Sequence, residues 1–135
     1  MFPASQLFDQ SGTEDWAIFA SDAPVWEAVG QIADFLFAKL DSVNGPLIRG
    51  EVDERAVIGE QVFLSEGATV EANATIQGPA WIGEGTVVRA GAYLRENVIV
   101  GKGCTLGNSS EFKNCLLFDE CEVPHFNYVG DSILG

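Results

Sequence analysis

The chain has 135 residues, 47% of them apolar, and twenty acidic against seven basic side chains give it a formal charge of −13. That is enough for one domain with a real core and an appended element. The acidity excludes a nucleic-acid binder, which needs a basic footprint to displace counterions from phosphates, and for the same reason an anionic membrane surface would repel the chain.

No segment approaches the ~20 uninterrupted apolar residues needed to cross a bilayer. The opening "MFPASQLFDQSGTEDW" has neither the basic region nor the apolar run of a signal peptide, so a cytoplasmic location is expected. Residues 1–20 read as irregular, with Pro3 and Gly12 breaking any long element. "SDAP" then reads as a helix start, with Ser21 or Asp22 as N-cap and Pro24 near the first turn. From Val25 to Leu40, Val25, Trp26, Val29, Ile32, Ala33, Leu36, Phe37 and Leu40 follow i, i+3, i+4, i+7 spacing, the pattern of an amphipathic helix. Asn44-Gly45-Pro46 is strong turn chemistry and ends it. Residues 1–45 thus form an N-terminal segment with one amphipathic helix, expected to pack against the next domain or to cap its open first coil.

From residue 46 a period of six takes over, produced by neither a helix nor a flat alternating strand. A bulky apolar residue stands at each of Val52, Ile58, Leu64, Val70, Ile76, Ile82, Val88, Leu94, Val100, Leu106, Phe112 and Phe118. With about half of ordinary residues apolar, such a run has odds of roughly one in a few thousand. Four residues after each hit comes a second, mostly small series: Ala56, Val62, Ala68, Ala74, Ala80, Thr86, Ala92, Val98, Cys104, Ser110 and Leu116. After "NCLLF" the bulky series is better followed by Leu117, Val123 and Val129, one position early. A one-residue deletion must bend or reshape the coil locally; such an irregularity in a repeat marks either functional surface or a harmless loop.

This pattern resembles the hexapeptide-repeat family. The resemblance implies a mainly β fold, a left-handed parallel β-helix over residues 46–135, in which three hexapeptides make one coil of 18 residues. Coils would then stack ~4.8 Å apart.

Stacking at 18 residues makes Arg95 and Lys113 neighbours. Two cations ~5 Å apart repel by roughly 0.8 kcal/mol in water and ~3 kcal/mol at an effective dielectric of 20. Either a shared anion such as a phosphate relieves that repulsion, or Glu96, Glu111 or another carboxylate neutralises each cation. Three cysteines do not suggest a disulfide framework; Cys104 and Cys121 fall in the small series, whereas the exposure of Cys115 stays open. The single histidine, His125, lies three residues before Tyr128 and offers no zinc pattern. It is either a structural residue or, histidine as a type titrating near neutral pH, a general base.

The segment from "LRENVIVGKGCTLGNSSEFKN" to "HFNYVGDSILG" is similar to the acetyltransferase domain of the bifunctional glucosamine-1-phosphate acetyltransferase and N-acetylglucosamine-1-phosphate uridyltransferase family. The likeness runs without a gap over residues 94–135. It implies a transferase that N-acetylates an amino-sugar 1-phosphate with acetyl-CoA as co-substrate. Arg95 and Lys113 would hold the phosphate, Tyr128 would sit at the sugar, and His125 would be the catalytic base. It also implies a homotrimer, and a β-helix truncated at its C-terminal end relative to the family, whose further coils provide most of the acetyl-CoA site. A non-catalytic β-helix module that binds a sugar phosphate or nucleotide sugar, or that trimerises, is the alternative. A hexapeptide-repeat carbonic anhydrase would need three histidine ligands, and one is present.

Overall fold

The computed structural model describes residues 2–9, 13–19 and 23–135. The proposed N-cap residues Ser21 and Asp22, and Gly12, lie outside them.

Thirteen strands form a parallel solenoid of about five turns. They are β1 (Glu51–Val52), β2 (Val57–Ile58), β3 (Val62–Leu64), β4 (Thr69–Val70), β5 (Thr75–Ile76), β6 (Ala80–Ile82), β7 (Val87–Val88), β8 (Tyr93–Leu94), β9 (Val98–Val100), β10 (Thr105–Leu106), β11 (Glu111–Leu117), β12 (Glu122–Val123) and β13 (Tyr128–Leu134). As far as β11, which spans two faces, every third strand pairs in parallel, so the coil has three faces. Face one stacks β1, β4, β7, β10 and β12. Face two stacks β2, β5, β8 and the first part of β11; face three stacks β3, β6, β9 and the last part of β11, and β13 lies along all of β11.

The period of six follows directly, because each face takes one bulky side chain inward per coil. Leu64, Ile76, Ile82, Val88, Leu94, Val100, Leu106 and Phe112 are wholly buried, and the alanines of the small series fill the corners between them. Val52 and Ile58, in the first coil, are only partly buried. Close stacking also dictates glycine where coils touch: a Cβ on Gly83 would run into the Gly101 carbonyl, and one on Gly101 into the Asp119 side chain.

The register changes once, earlier than the sequence suggests. Glu111 and Phe112 pair with Tyr93 and Leu94, 18 residues back, whereas Cys115 pairs with Val98, 17 back. Three residues (Arg95, Glu96, Asn97) turn the corner from Leu94 to Val98, but only Lys113 and Asn114 turn the next one. The missing residue is therefore in the corner at Lys113–Asn114, not after "NCLLF". Cys115 takes the interior place assigned to Leu116 and is fully buried, which settles its exposure. Leu117, paired with Val100, points inward, as do Val123 and Val129 in part. Leu116 and Phe118, read from the sequence as members of the interior series, belong instead to an outer cluster.

That outer cluster is built by the N-terminal segment. Two short 3₁₀ turns, Ala4–Gln6 and Glu14–Ile18, occupy the stretch read as irregular. The expected amphipathic helix is present, but Val25–Gln31 winds as 3₁₀ and only Ile32–Asp41 (α1) is α-helical. Ile32 and Leu36, both wholly buried, pack with Ile99, Leu116 and Phe118, flanked by Trp81 and Ile133. Rather than capping the first coil, the helix lies along face three, where it contacts β6, β9 and β11. Lys39 fixes its far end, with Nζ 2.5 Å from Asp15 Oδ1 and 4.4 Å from the centre of the Trp81 ring. Phe8, Trp16 and Phe19 gather around Phe118, with ring centres 5.5–6.3 Å from it.

Most corners contain one left-handed residue. On the corner between faces one and two it is Asn73, Gly91, Ser109 and finally Phe126, with φ of 62°, 73°, 54° and 59°. Asparagine and glycine suit that conformation; an aromatic residue there is an outlier. Phe126 is 76% exposed, so little packing offsets the strain.

Two measurements test this packing. Leu94→Ala is expected to lower stability by ~2–5 kcal/mol, whereas Val57→Ala, on the exposed side of β2, should stay within ~0.5 kcal/mol; denaturant midpoints compare them. Phe126→Asn should raise stability by about 0.5–1 kcal/mol by relieving the left-handed conformation, read as a higher midpoint in the same titration.

Candidate functional site

Arg95 and Lys113 both follow an inward residue of face two directly, Leu94 and Phe112, whose strands are paired. The Arg95 amide donates to the Phe112 carbonyl at 2.8 Å, and this places the two cations on adjacent coils at the corner between faces two and three. The solenoid thus brings them together. Gly130 is the next member of the row, paired with Lys113.

Their charges are balanced unequally. Arg95 Nη1 lies 3.6 Å from Glu111 Oε2, and its Nε lies 3.8 Å from Glu96 Oε2. All three side chains are more than a third exposed, so solvent screens both pairs. Lys113, half-buried, makes no ion pair among the described residues. Of the two outcomes left open by the sequence, neutralisation by carboxylates is met at Arg95, whereas Lys113 has no carboxylate within 4 Å among the described residues.

Tyr128 stands on face two, paired in register with Glu111, and is 60% exposed. Its ring leans along the strand over Gly130, where a Cβ would collide with the hydroxyl and the ring. Glycine at 130 is what lets the phenol reach the row of Arg95 and Lys113. The phenol thus lies over the register partner of Lys113.

His125 is on the other edge of face two, at the corner between β12 and β13, and is exposed. The five residues of chain from His125 to Gly130 span at most ~17 Å of extended backbone. The imidazole meets the Phe126 ring edge-on at 5.3 Å. Its corner is held from inside: Ser110 Oγ donates to the Pro124 carbonyl at 2.8 Å and accepts from the Asn127 amide at 3.1 Å. Asn127 Nδ2 donates to the carbonyls of Pro124 at 2.9 Å and of His125 at 3.2 Å. The network fixes the backbone of the corner and leaves the imidazole free to reach solvent.

Sequence reasoning missed Ser110, Asn127 and Phe126. The signal was available: in the 18-residue stack, Ser110 and Asn127 follow Ala56, Ala74 and Ala92 on one inner row, an abrupt change from methyl to hydrogen-bonding side chains. Asn114 and Asp131, joined at 2.8 Å, likewise close the shortened corner beside Lys113. Among the described residues, concavities of ~200–370 Å³ are lined by other side chains, several of them where the N-terminal segment meets the solenoid. Arg95, Lys113, Tyr128 and His125 line none of these; Tyr128 stands on face two, with the cations at one of its edges and His125 at the other.

Comparison with known proteins agrees with this architecture. Residues 79–114 match the family model described as "Bacterial transferase hexapeptide (six repeats)". A protein named "Bifunctional protein GlmU" from Methanococcus maripaludis (strain S2) is 40% identical over 112 residues, covering 82% of this chain and 27% of the relative. The protein of that name from Methanocaldococcus jannaschii is 42% identical over 113 residues, covering 82% of this chain and 28% of its own length. A shorter match, 46% over 35 residues, is to the Thermodesulfovibrio yellowstonii protein of that name; it covers 26% of this chain and 8% of the relative. The chain spans about a quarter of the length of the two archaeal relatives. It is a parallel-strand solenoid whose residues 79–114 match the bacterial transferase hexapeptide repeat and which, over 82% of its length, is similar to part of the bifunctional GlmU proteins.

Proposed function

We propose that this solenoid is the sugar-phosphate-binding part of an acetyl-CoA-dependent N-acetyltransferase acting on an amino-sugar 1-phosphate. The observation that carries the reading is the cation pair. In a chain of charge −13, Arg95 and Lys113 stand side by side, one of them without a carboxylate partner, beneath an exposed phenol.

A phosphate monoester suits that corner. Guanidinium and ammonium would share its oxygens, removing the mutual repulsion of the cations and competing with Glu96 and Glu111 for Arg95. The sugar ring would then lie along face two against Tyr128. Its amine would point toward the His125 corner, where the imidazole takes the proton that the amine loses as it forms the amide bond. Acetyl-CoA, when bound, supplies the acyl thioester. The Ser110–Asn127 network holds the backbone of the His125 corner in place. The openness of the site in one chain is consistent with a homotrimer whose neighbouring subunit closes it. Nucleotide-sugar biosynthesis in the cytoplasm is the setting this chemistry suits.

One observation favours a second reading. Arg95 already has two carboxylates within 4 Å, as in a module that binds a sugar phosphate or nucleotide sugar weakly and turns nothing over.

Release of the CoA thiol from acetyl-CoA with glucosamine 1-phosphate as acceptor separates the two. The expected result is turnover that His125→Ala lowers by ~10²–10⁴-fold, with Lys113→Ala acting mainly on KM for the sugar phosphate. Saturable binding of the sugar phosphate with no thiol release at any acetyl-CoA concentration supports the second reading. Unchanged turnover in His125→Ala removes the histidine from the reaction.

A further inference from the structure

Away from face two, another inner row changes chemistry toward the C-terminal coils. Just before each strand of face one the interior residue is Ala68, then Thr86, Cys104 and Cys121. The pairing of Thr105 with Val87 on one side and Glu122 on the other sets the two cysteines directly above one another. Successive coils are ~4.8 Å apart, within the ~4.4–6.8 Å Cα separation that a disulfide accepts. Both side chains belong to the same interior cluster, Cys104 buried in it and Cys121 packed against it.

The two sulfurs are not equivalent. Cys104 is 1% exposed and donates to the Phe118 carbonyl at 3.1 Å. Coupling to Cys121, together with burial, pushes its pKa upward. Cys121 is half-buried, and the thiol of Cys104 draws its pKa down to about 7, against the opposing effects of burial and the nearby Asp119 carboxylate. Cys121 is thus the sulfur that solvent reaches, with Cys104 behind it at a spacing a disulfide accepts.

We propose that Cys104 and Cys121 form a redox modification site, a stacked dithiol that closes to a disulfide when a hydroperoxide reaches Cys121. In the first step the Cys121 thiolate attacks the terminal peroxide oxygen. The O–O bond breaks, the departing oxygen leaves as hydroxide or alkoxide and takes a proton from water, and Cys121 becomes a sulfenic acid. The Cys104 sulfur then attacks the sulfenic sulfur. An S–S bond forms, and the leaving hydroxyl carries the Cys104 proton away as water. Two thiols lose two electrons and the hydroperoxide gains them. A small dithiol regenerates the pair by exchange. Closure would tie the coil that leads to the His125 corner to the coil beneath it.

Cys115 is an internal control. It faces a different corner and is fully buried, and burial pushes its pKa up to about 12.

The test is to treat the full chain with hydrogen peroxide and map a non-reducing digest by mass spectrometry. A Cys104–Cys121 cross-link with loss of two free thiols, reversed by dithiothreitol, is expected. Cys104→Ser should replace the cross-link by a dimedone-reactive sulfenic acid on Cys121, and Cys121→Ser should abolish both. In the unmodified chain at pH 7, iodoacetamide should label Cys121 at least about tenfold faster than Cys115. Any of three results overturns the proposal: oxidation of Cys121 to sulfinic acid with Cys104 still free, cross-links only between molecules, or equal labelling of Cys121 and Cys115.

Discussion

Parallel stacking in register is the constraint on which the rest of this molecule depends. Each coil must place one bulky residue inward on each of three faces, directly above its counterpart in the coil before. Leu94 above Ile76 and beneath Phe112 is one such column. Because neighbouring coils are ~4.8 Å apart, whatever stands at one position outside the column is also brought against its counterpart. The Arg95–Lys113 row, the Cys104–Cys121 pair and the Glu111–Tyr128 pairing are all products of the same repeat. None depends on a loop of special shape.

The shortened corner at Lys113–Asn114 is the one deliberate departure, and it has effects on both sides of the wall. With the full spacing, Leu116 and Phe118 would face the interior. With one residue fewer, Cys115 and Leu117 occupy those places, and Leu116 and Phe118 are released to the outside. There they receive the N-terminal segment, with α1 on Leu116 and the aromatic group of Phe8, Trp16 and Phe19 on Phe118. The same deletion that reshapes the cation corner therefore creates the apolar surface that anchors the N-terminal cover.

Much of this was legible in the residues. The period of six carries the fold, since inward columns admit little but aliphatic side chains, and the adjacency of Arg95 and Lys113 follows from register alone. The position of the deletion was not legible. Leu116, Leu117 and Phe118 are all apolar, and a series shifted by one still finds an apolar residue at each step until Cys115 is seen to be buried. The winding of Val25–Gln31 as 3₁₀ was likewise hidden, because apolar spacing of three and four residues serves either helix. The strain at Phe126 depends on a backbone angle that composition does not report. The pairing of Arg95 with two carboxylates could be named as an option but not chosen, because long side chains decide it by their rotamers.

A three-sided solenoid has three walls to offer a neighbour, and here the wall of β3, β6 and β9 is already taken by the helix of its own chain. That occupation removes the most apolar outer ladder, Trp81, Ile99, Leu116 and Ile133, from any lateral contact. It leaves the other two walls, one of which carries Tyr93, Glu111 and Tyr128, to govern how this solenoid meets another molecule from the side. The helix thereby gives an otherwise nearly symmetric prism a front and a back.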